Sequence, residues 1–501
     1  MWSEAGSVTR GPGPKILALL VFVTALWAQS DALVGVFYDD GIYVVGAKAL
    51  AEGQGYRNIH LPGAPAIVHY PFLYPAALSL LWRLWPAFPD NVALFALLDA
   101  AAFAFAAWLV ARHALSHFDL PPWLVYAALG IGFTAFPLLT IVGLRLSEAM
   151  FLALTAGAIA AADGDGTPVK RGAAAGLLAG LAMLARSIGV AVAAGVVIGL
   201  WARRERRAAM IAAIVAALSA VPWMWWVVRH AREADGAILG NYGTYVSEAR
   251  QAGIGAMLQG LDLQAFGALG RVVLPSLPGP LWYGLAALFL GTIVVASLAV
   301  WRRAPALITS LGLYVLVVSL WPYAPHRFMW ITLPWFAVLL AVGVRWLSTK
   351  GRAGRVVALA LTIVAVWGYA PRQTVSLRLR SFAATSEGIS QSFRPLIGSI
   401  ATELPAGAVI ASEDEALMYL YTGRRTVPSY LFRWSGRGTE PAPSDSALAF
   451  YCRAGVTHVG LTGPAAQTVP PVAPLLDRPD SVLVPLFVTQ GPALYRFQCP
   501  A

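Results

Sequence analysis

Charge is scarce in this sequence. Its 501 residues carry 36 lysines and arginines and 25 aspartates and glutamates, 12% of the chain, whereas a soluble domain has about 25%. So little charge excludes a soluble enzyme, a disordered chain and a coiled coil. Cysteine is nearly missing: Cys452 and Cys499 stand alone, with no CxxC pair and no metal knuckle. No glycine-rich P-loop pattern occurs, which argues against ATP-driven work. Internal repeats and low-complexity tracts are also lacking.

What is present is hydrophobic. Apolar residues make up 58% of the chain and the mean hydropathy is +0.66, a polytopic membrane composition. A span needs about 20 mostly apolar residues. Eleven such runs fall near 15–36, 91–111, 122–143, 148–162, 172–185, 187–202, 208–228, 281–300, 305–322, 328–347 and 355–370. The net charge of +11 resides in short arginine clusters between them. That is the look of cytoplasmic loops, not of a nucleic-acid surface, so no nucleic-acid partner is expected.

One stretch decides the topology. Residues 71–89 are apolar but broken by Pro71, Pro75, Arg83 and Pro86. As a span they would place Arg203–Arg207 and Arg345–Arg355 outside, against the positive-inside rule. They are therefore read as a surface or re-entrant helix, with the N-terminus cytoplasmic. A helical membrane domain over 1–370 is expected. Its outer face carries a first loop, 37–90, with membrane-parallel helices, and a second loop, 229–280. An outer α/β domain is expected over 371–501, with strands at 408–412, 455–461 and 482–488. Its helices, at 412–421 and 444–455, should start near serine caps. Both cysteines fall there, where disulfides persist. A Cys452–Cys499 bond is expected, and two buried thiols are the alternative.

The chemistry concentrates at the outer ends of the runs. Asp39 and Asp40 directly follow the first run, ahead of a short amphipathic segment expected to lie flat at the interface. A carboxylate between apolar walls there would have a raised pKa and could act as a base, or could simply cap the next helix. His69 and Tyr70 close the same loop. Arg145, Ser147 and Glu148, then Arg186, then His326 and Arg327 stand at other outer ends. Ionisable residues at such depth are costly and usually functional. Their arginines suit an anionic group such as a phosphate.

The ordered set of motifs resembles a known family. Tyr38-Asp39-Asp40-Gly41-x-Tyr43, Gly55-Tyr56 and His69-Tyr70-Pro71-x-Leu73-Tyr74-Pro75 look like the first luminal loop of the GT-C membrane glycosyltransferases. The branch is that of protein O-mannosyltransferases and lipid A aminoarabinose transferases. Leu146-Ser147-Glu148, Gly176–Arg186, Val221-Pro222-Trp223, His326-Arg327-Phe328, Leu404-Pro405-x-Gly407 and Tyr421–Pro428 extend the match. The resemblance implies a polyprenyl-phosphate sugar donor and inverting transfer on the extracytoplasmic face. Asp39 matches the catalytic base, and Glu148 a second acidic position. Asp40 is grouped with them, and His69, Tyr70, Arg186, His326, Arg327 and Tyr43 are the expected phosphate or substrate contacts. His69 stands where some relatives carry a carboxylate, which leaves divalent-metal use open. The acceptor is unspecified: glycan, lipid or protein. Two other classes fit the composition, a flippase for a lipid-linked solute and a membrane scaffold with a glycan- or partner-binding outer domain.

Overall fold

A computed structural model describes residues 11–259, 266–267, 269–270, 281–321, 325–436, 438–463, 469–476, 482–489 and 491–500. Part of the expected loop 229–280 therefore lies outside the described residues.

Each of the eleven apolar runs holds a helix. The long helices are α1 (Gly13–Trp27), α4 (Val92–His117), the pair α5 (Pro122–Phe133) and α6 (Phe136–Val142), α7 (Glu148–Asp163), α8 (Pro168–Ala185), α9 (Gly189–Ala202) and α10 (Arg206–His230). After α11 (Tyr245–Ala252) come α12 (Leu281–Val300), α13 (Pro305–Leu320), the short α14 (His326–Trp330), α15 (Leu333–Ser348) and α16 (Gly351–Leu379). Prolines open α5, α8, α13 and α15, where a missing amide costs nothing. Among the described residues four helices are individually long and apolar enough to cross a membrane, and the α5–α6 pair, bent by 58°, is a fifth candidate. Its break precedes Pro137, and Gln373 of α16 repairs it. Phe136 N–H donates to Gln373 Oε1 (2.9 Å), and the Gln373 amide donates to Thr134 O. A freed backbone in a membrane needs such a partner.

Helices α8 and α10 meet backbone to backbone. A Cβ on Gly172 would fall 2.5 Å from Ala208 O, and one on Gly176 2.5 Å from Ala212 O. This small-residue stripe drives close packing where apolar burial gives no advantage over lipid. Gly176→Leu is expected to separate the two helices and lower the thermal unfolding temperature in detergent, while a Leu177→Ala change, on an exposed side chain, leaves it nearly unchanged.

Polar contacts mark two ends of the bundle. At one end Asp163, fully buried, accepts from His113 (3.1 Å) and from the amides of Ala306 and Leu307 at the start of α13 (3.0 and 3.1 Å). Arg203 and Arg171 donate to the adjoining carbonyls of Asp163 and Gly164. The basic clusters thus gather at the end of α7 opposite Glu148. Asp39, Arg145, Arg186 and Arg327 gather at the other.

Segment 71–89 holds one short helix. Its helix α3 (Leu73–Leu84) has 12 residues, about 18 Å, and lies against α2 (Asp39–Ala51). Arg83 donates to Leu50 O (2.9 Å), and Tyr74 donates to Asp99 near the start of α4 (2.9 Å). The segment α2 departs from the flat amphipathic helix expected. It is buried on nearly every side, from Asp40 to Ala47, because the chain's C-terminal part packs over it.

Around the expected division at 371, α16 runs through Pro371 to Leu379 and α17 (Ser381–Glu403) follows. Strands β1 (Val409–Ser412), β2 (Arg425–Pro428), β5 (His458–Leu461), β6 (Leu483–Val488) and β7 (Ala493–Phe497) form a sheet of order β2-β1-β5-β7-β6. The β1 pairings are parallel, and those of β7 antiparallel. A hairpin joins β3 (Phe432–Ser435) to β4 (Gly438–Pro441). Helices α18 (Glu415–Thr422) and α19 (Ser444–Ala454) occupy the expected places. The serine caps do not form: Ser412 ends β1, and Asp414 and Pro443 precede the helices without side-chain cap bonds. Cys452 and Cys499 form a disulfide, Cα atoms 5.7 Å apart. Titration of the unreduced, denatured protein should find no free thiol.

Candidate active site

The site is built where α2 begins. Tyr38 has φ 63° and ψ −65°, and Asp39 N–H donates to Phe37 O at 2.8 Å. This is a positive-φ γ-turn, a strained form that persists only where neighbours hold it. Asp40 is one such neighbour. Its carboxylate turns back to accept from Gly35 N–H (2.7 Å) and Phe37 N–H (3.0 Å) and is 1% exposed. Burial raises its pKa to about 6, against the pull of those two amides. Asp40, expected as a catalytic group, is thus placed with its carboxylate on the amides of the turn itself.

Asp39 faces the other way, into a chain of charges contributed by four distant segments. Tyr70 donates to its Oδ1 (2.7 Å) and Arg327 Nη1 to its Oδ2 (2.6 Å). Arg327 Nε and Nη2 both reach Glu148 Oε1, at 2.8 and 2.7 Å. Arg186 Nη1 lies 2.8 Å from Glu148 Oε2 and donates to Ser147 Oγ (3.1 Å), which is bonded to the Tyr43 hydroxyl (3.0 Å). Local structure explains these placements. Glu148 opens α7, Arg186 sits in the extended break between α8 and α9, and Arg327 lies on α14. The arginines stack on Phe328 and Phe37. The chain has an accessible side and a deep side. Asp39 and Arg327 side chains are 20% and 16% exposed, Glu148 and Arg186 5% and 10%.

The electrostatics correct another expectation. Burial pushes Asp39 up, but Arg327 and then Tyr70 outweigh it and hold its carboxyl below the usual aspartate value. At rest Asp39 is a paired carboxylate, not one with raised proton affinity.

The other expected residues divide. Tyr43 and Tyr70 join the chain above. His326 is half-buried at the start of α14, beside it. His69 is placed one residue from Tyr70, with its Nδ1 bonded to Gly243 O (3.0 Å) and 3.2 Å from Glu248. Burial lowers its pKa, yet Glu248 outweighs that and raises it. These contacts tie the first loop, where His69 was expected to meet substrate, to the second. The Tyr245 ring packs against His69, tilted by 41° with centroids 4.1 Å apart. Arg145 pairs instead with buried Asp99 (3.4 Å) and Gln29. Sequence reading missed Glu248, Asp99 and Glu415, acids whose side-chain partners come from other segments of the chain. Among the described residues no group of three or more His, Cys, Asp or Glu side chains is arranged to hold a metal ion.

An apolar cleft of about 490 Å³ between α5–α6, α15 and α16 includes none of these residues. That cleft lies apart from the ionised chain. Two cations meet two carboxylates there, so an incoming anion would compete with Asp39 for Arg327, the more accessible arginine. Inverting displacement needs one base and a stabilised leaving group, and this arrangement supplies both kinds of group.

No protein-family model matches the sequence, and no curated protein matches it. Solved structures do. ArnT from Cupriavidus metallidurans, bound to undecaprenyl phosphate, aligns with TM-score 0.55 and 13% identity over 96% of this chain and 97% of its own. The oligosaccharyltransferase AglB from Archaeoglobus fulgidus, in complex with an inhibitory peptide and a dolichol-phosphate, aligns with TM-score 0.57 and 10% identity over 94% of this chain and 72% of its own. With its apolar helices, small C-terminal sheet and whole-length likeness to these structures, the chain is a multi-pass membrane protein of the GT-C fold.

Proposed function

We propose that this protein is an inverting glycosyltransferase that takes a sugar from a polyprenyl-phosphate donor and gives it to an acceptor hydroxyl. The observation that carries the reading is the chain Asp39–Arg327–Glu148–Arg186 at one end of the bundle. The orientation follows the positive-inside rule: the arginine-rich end is cytoplasmic, and Asp39, with the sheet above it, is extracytoplasmic. The domain division is read accordingly, a membrane part through α16 and an outer part from α17 onward.

In this reading Asp39 accepts the proton of the acceptor hydroxyl as its oxygen attacks the anomeric carbon. The bond from that carbon to the phosphate oxygen breaks on the opposite face, and polyprenyl phosphate leaves with the developing charge. Arg327, with Arg186 behind it, stabilises that charge. One carboxylate suffices, in contrast to the pair a glycosidase needs. Tyr70 keeps Asp39 oriented, and Glu148 holds both arginines by one carboxylate. The His69–Glu248 contact draws the second loop over the first, a cover that would limit hydrolysis of the donor.

The test is binding and turnover of radiolabelled polyprenyl-phosphate sugars by purified protein, wild type beside Asp39→Asn. Support would be consumption of one donor by wild type and binding without turnover by the variant. Absence of binding to every lipid-phosphate sugar by both proteins would remove the donor class.

A further inference from the structure

Helix α18 belongs to the C-terminal sheet region, yet it is wedged against the loop that launches Asp39. A Cβ built on Gly35 (φ +106°) would lie 2.6 Å from Leu417 Cβ, and one on Gly41 3.0 Å from Ala416 Cβ. Val34 N–H donates to the Tyr421 hydroxyl (3.1 Å). Such backbone contact leaves no room for the two parts to move independently.

Glu415, the first residue of α18, is 0% exposed. Its Oε1 accepts from the Tyr38 hydroxyl (3.1 Å) and from the Tyr242 hydroxyl. Tyr242 oxygen is in turn 2.8 Å from His60 Nε2. Because Tyr242 gives its proton to Glu415, the His60 nitrogen is the donor in that bond. Burial lowers the His60 pKa to about 3, so the ring is neutral, and the tautomer protonated at Nε2 supplies this donor, while its Nδ1 has no hydrogen-bond partner among the described residues. Three separate segments thus converge on the side chain of Tyr38: the first loop, the second loop and the sheet region. Tyr38 is the centre of the strained γ-turn, and the next residue is Asp39. Asp40 holds this turn through the amides on its near side. The hydroxyl of Tyr38 is its far anchor, and that anchor comes from 377 residues away.

We propose that Glu415 is a positioning residue for Asp39: by gripping the Tyr38 hydroxyl it keeps the γ-turn in its strained form and so aims the Asp39 carboxylate at the acceptor. The sheet region is then a working part of the site rather than an appendage. The catalytic consequence rests on the glycosyltransferase reading; the brace itself does not.

The experiment therefore has two readouts, on the full chain in detergent or nanodiscs. The first is hydrogen exchange of peptides covering 33–42. Tyr38→Phe removes only the far anchor, with no cavity and no buried charge left over. It should raise exchange in 33–42 at least several-fold while peptides of β1, β5 and β7 keep their protection. The second readout is kinetic. A misplacement near 1 Å costs about 100-fold in rate, so Tyr38→Phe and Glu415→Ala should each cut kcat by roughly 10- to 100-fold with the donor KM little changed. Acting on one bond, they should not add: the double variant falls no further than Glu415→Ala alone. Glu415→Gln offers an oxygen that accepts the same bonds. Its amide nitrogen would replace Oε2, which has no hydrogen-bond partner among the described residues, and kcat should largely recover. Unchanged exchange in 33–42 for Tyr38→Phe overturns the brace. Raised exchange with unchanged kcat overturns its role in aiming Asp39. Raised exchange in a protein that turns over no lipid-phosphate sugar, wild type included, leaves the brace standing and refutes the proposed function instead.

Discussion

Asp39→Asn is expected to bind a polyprenyl-phosphate sugar and transfer it roughly 100- to 10,000-fold more slowly than wild type, the usual contribution of a positioned base. The pH profile should say more than the rate. Arg327 holds the Asp39 carboxyl below its usual value, and the base works only when deprotonated. Activity is therefore present above that pKa and is lost as pH falls through it. In kcat/KM, which reports the free enzyme, the acid limb should lie below the usual aspartate range. In kcat, which reports the loaded enzyme, it should lie at higher pH, because the donor phosphate now shares Arg327 and weakens its hold on Asp39. Arg327→Gln should move the free-enzyme limb up in the same direction and abolish the difference between the two profiles. The base would thus gain proton affinity when the donor arrives. Coincident acid limbs in wild type would remove that coupling.

The second large effect concerns Glu148. Its two oxygens serve two buried arginines, Arg327 on one and Arg186 on the other. Breaking a buried pair by removing one partner costs about 3–5 kcal/mol, and here one deletion leaves two cations facing each other with Asp39 as the only nearby carboxylate. Glu148→Ala should therefore lose stability on that scale in thermal unfolding and should also lose turnover. The excess positive charge predicts a distinctive rescue. Undecaprenyl phosphate, an anion delivered to the same place, should raise the unfolding temperature of Glu148→Ala by more than it raises that of wild type. Equal shifts would mean that the arginines are not where the lipid phosphate binds.

Much of the fold was legible because a membrane helix announces itself within one run of sequence. All eleven runs became helices, and segment 71–89, broken by its prolines, holds only the short helix Leu73–Leu84. The site was legible only in part. Asp39 and Asp40 are identical in local sequence signal, but adjacent positions at a helix start point in different directions. One faces Arg327, and the other turns to the amides of Gly35 and Phe37. Partners such as Arg327 and Asp39, 288 residues apart, have no local signature. The same holds for His69, whose aromatic and acidic neighbours come from a loop more than 170 residues away. Strand β2 was missed because Arg425-Thr426-Val427-Pro428 carries a charge and a proline and is strand-like only beside β1. The apolar runs do not reveal that the C-terminal region would reach down to Tyr38. That reach changes what a truncation would mean: removing the chain beyond 371 also removes Glu415, so loss of activity would not single out a scaffold.

The sheet order has a temporal meaning. Strand β7 lies between β5 and β6, and among the described residues β6 pairs with β7 alone. A ribosome delivers β7 after every other strand. Until residues 493–497 are in place, β5 is a second open edge beside β2 in a three-stranded fragment, and α18 rests on that fragment. A nascent chain would already have its Asp39, its arginines and its apolar helices, yet not the finished sheet behind the helix that holds the Tyr38 hydroxyl.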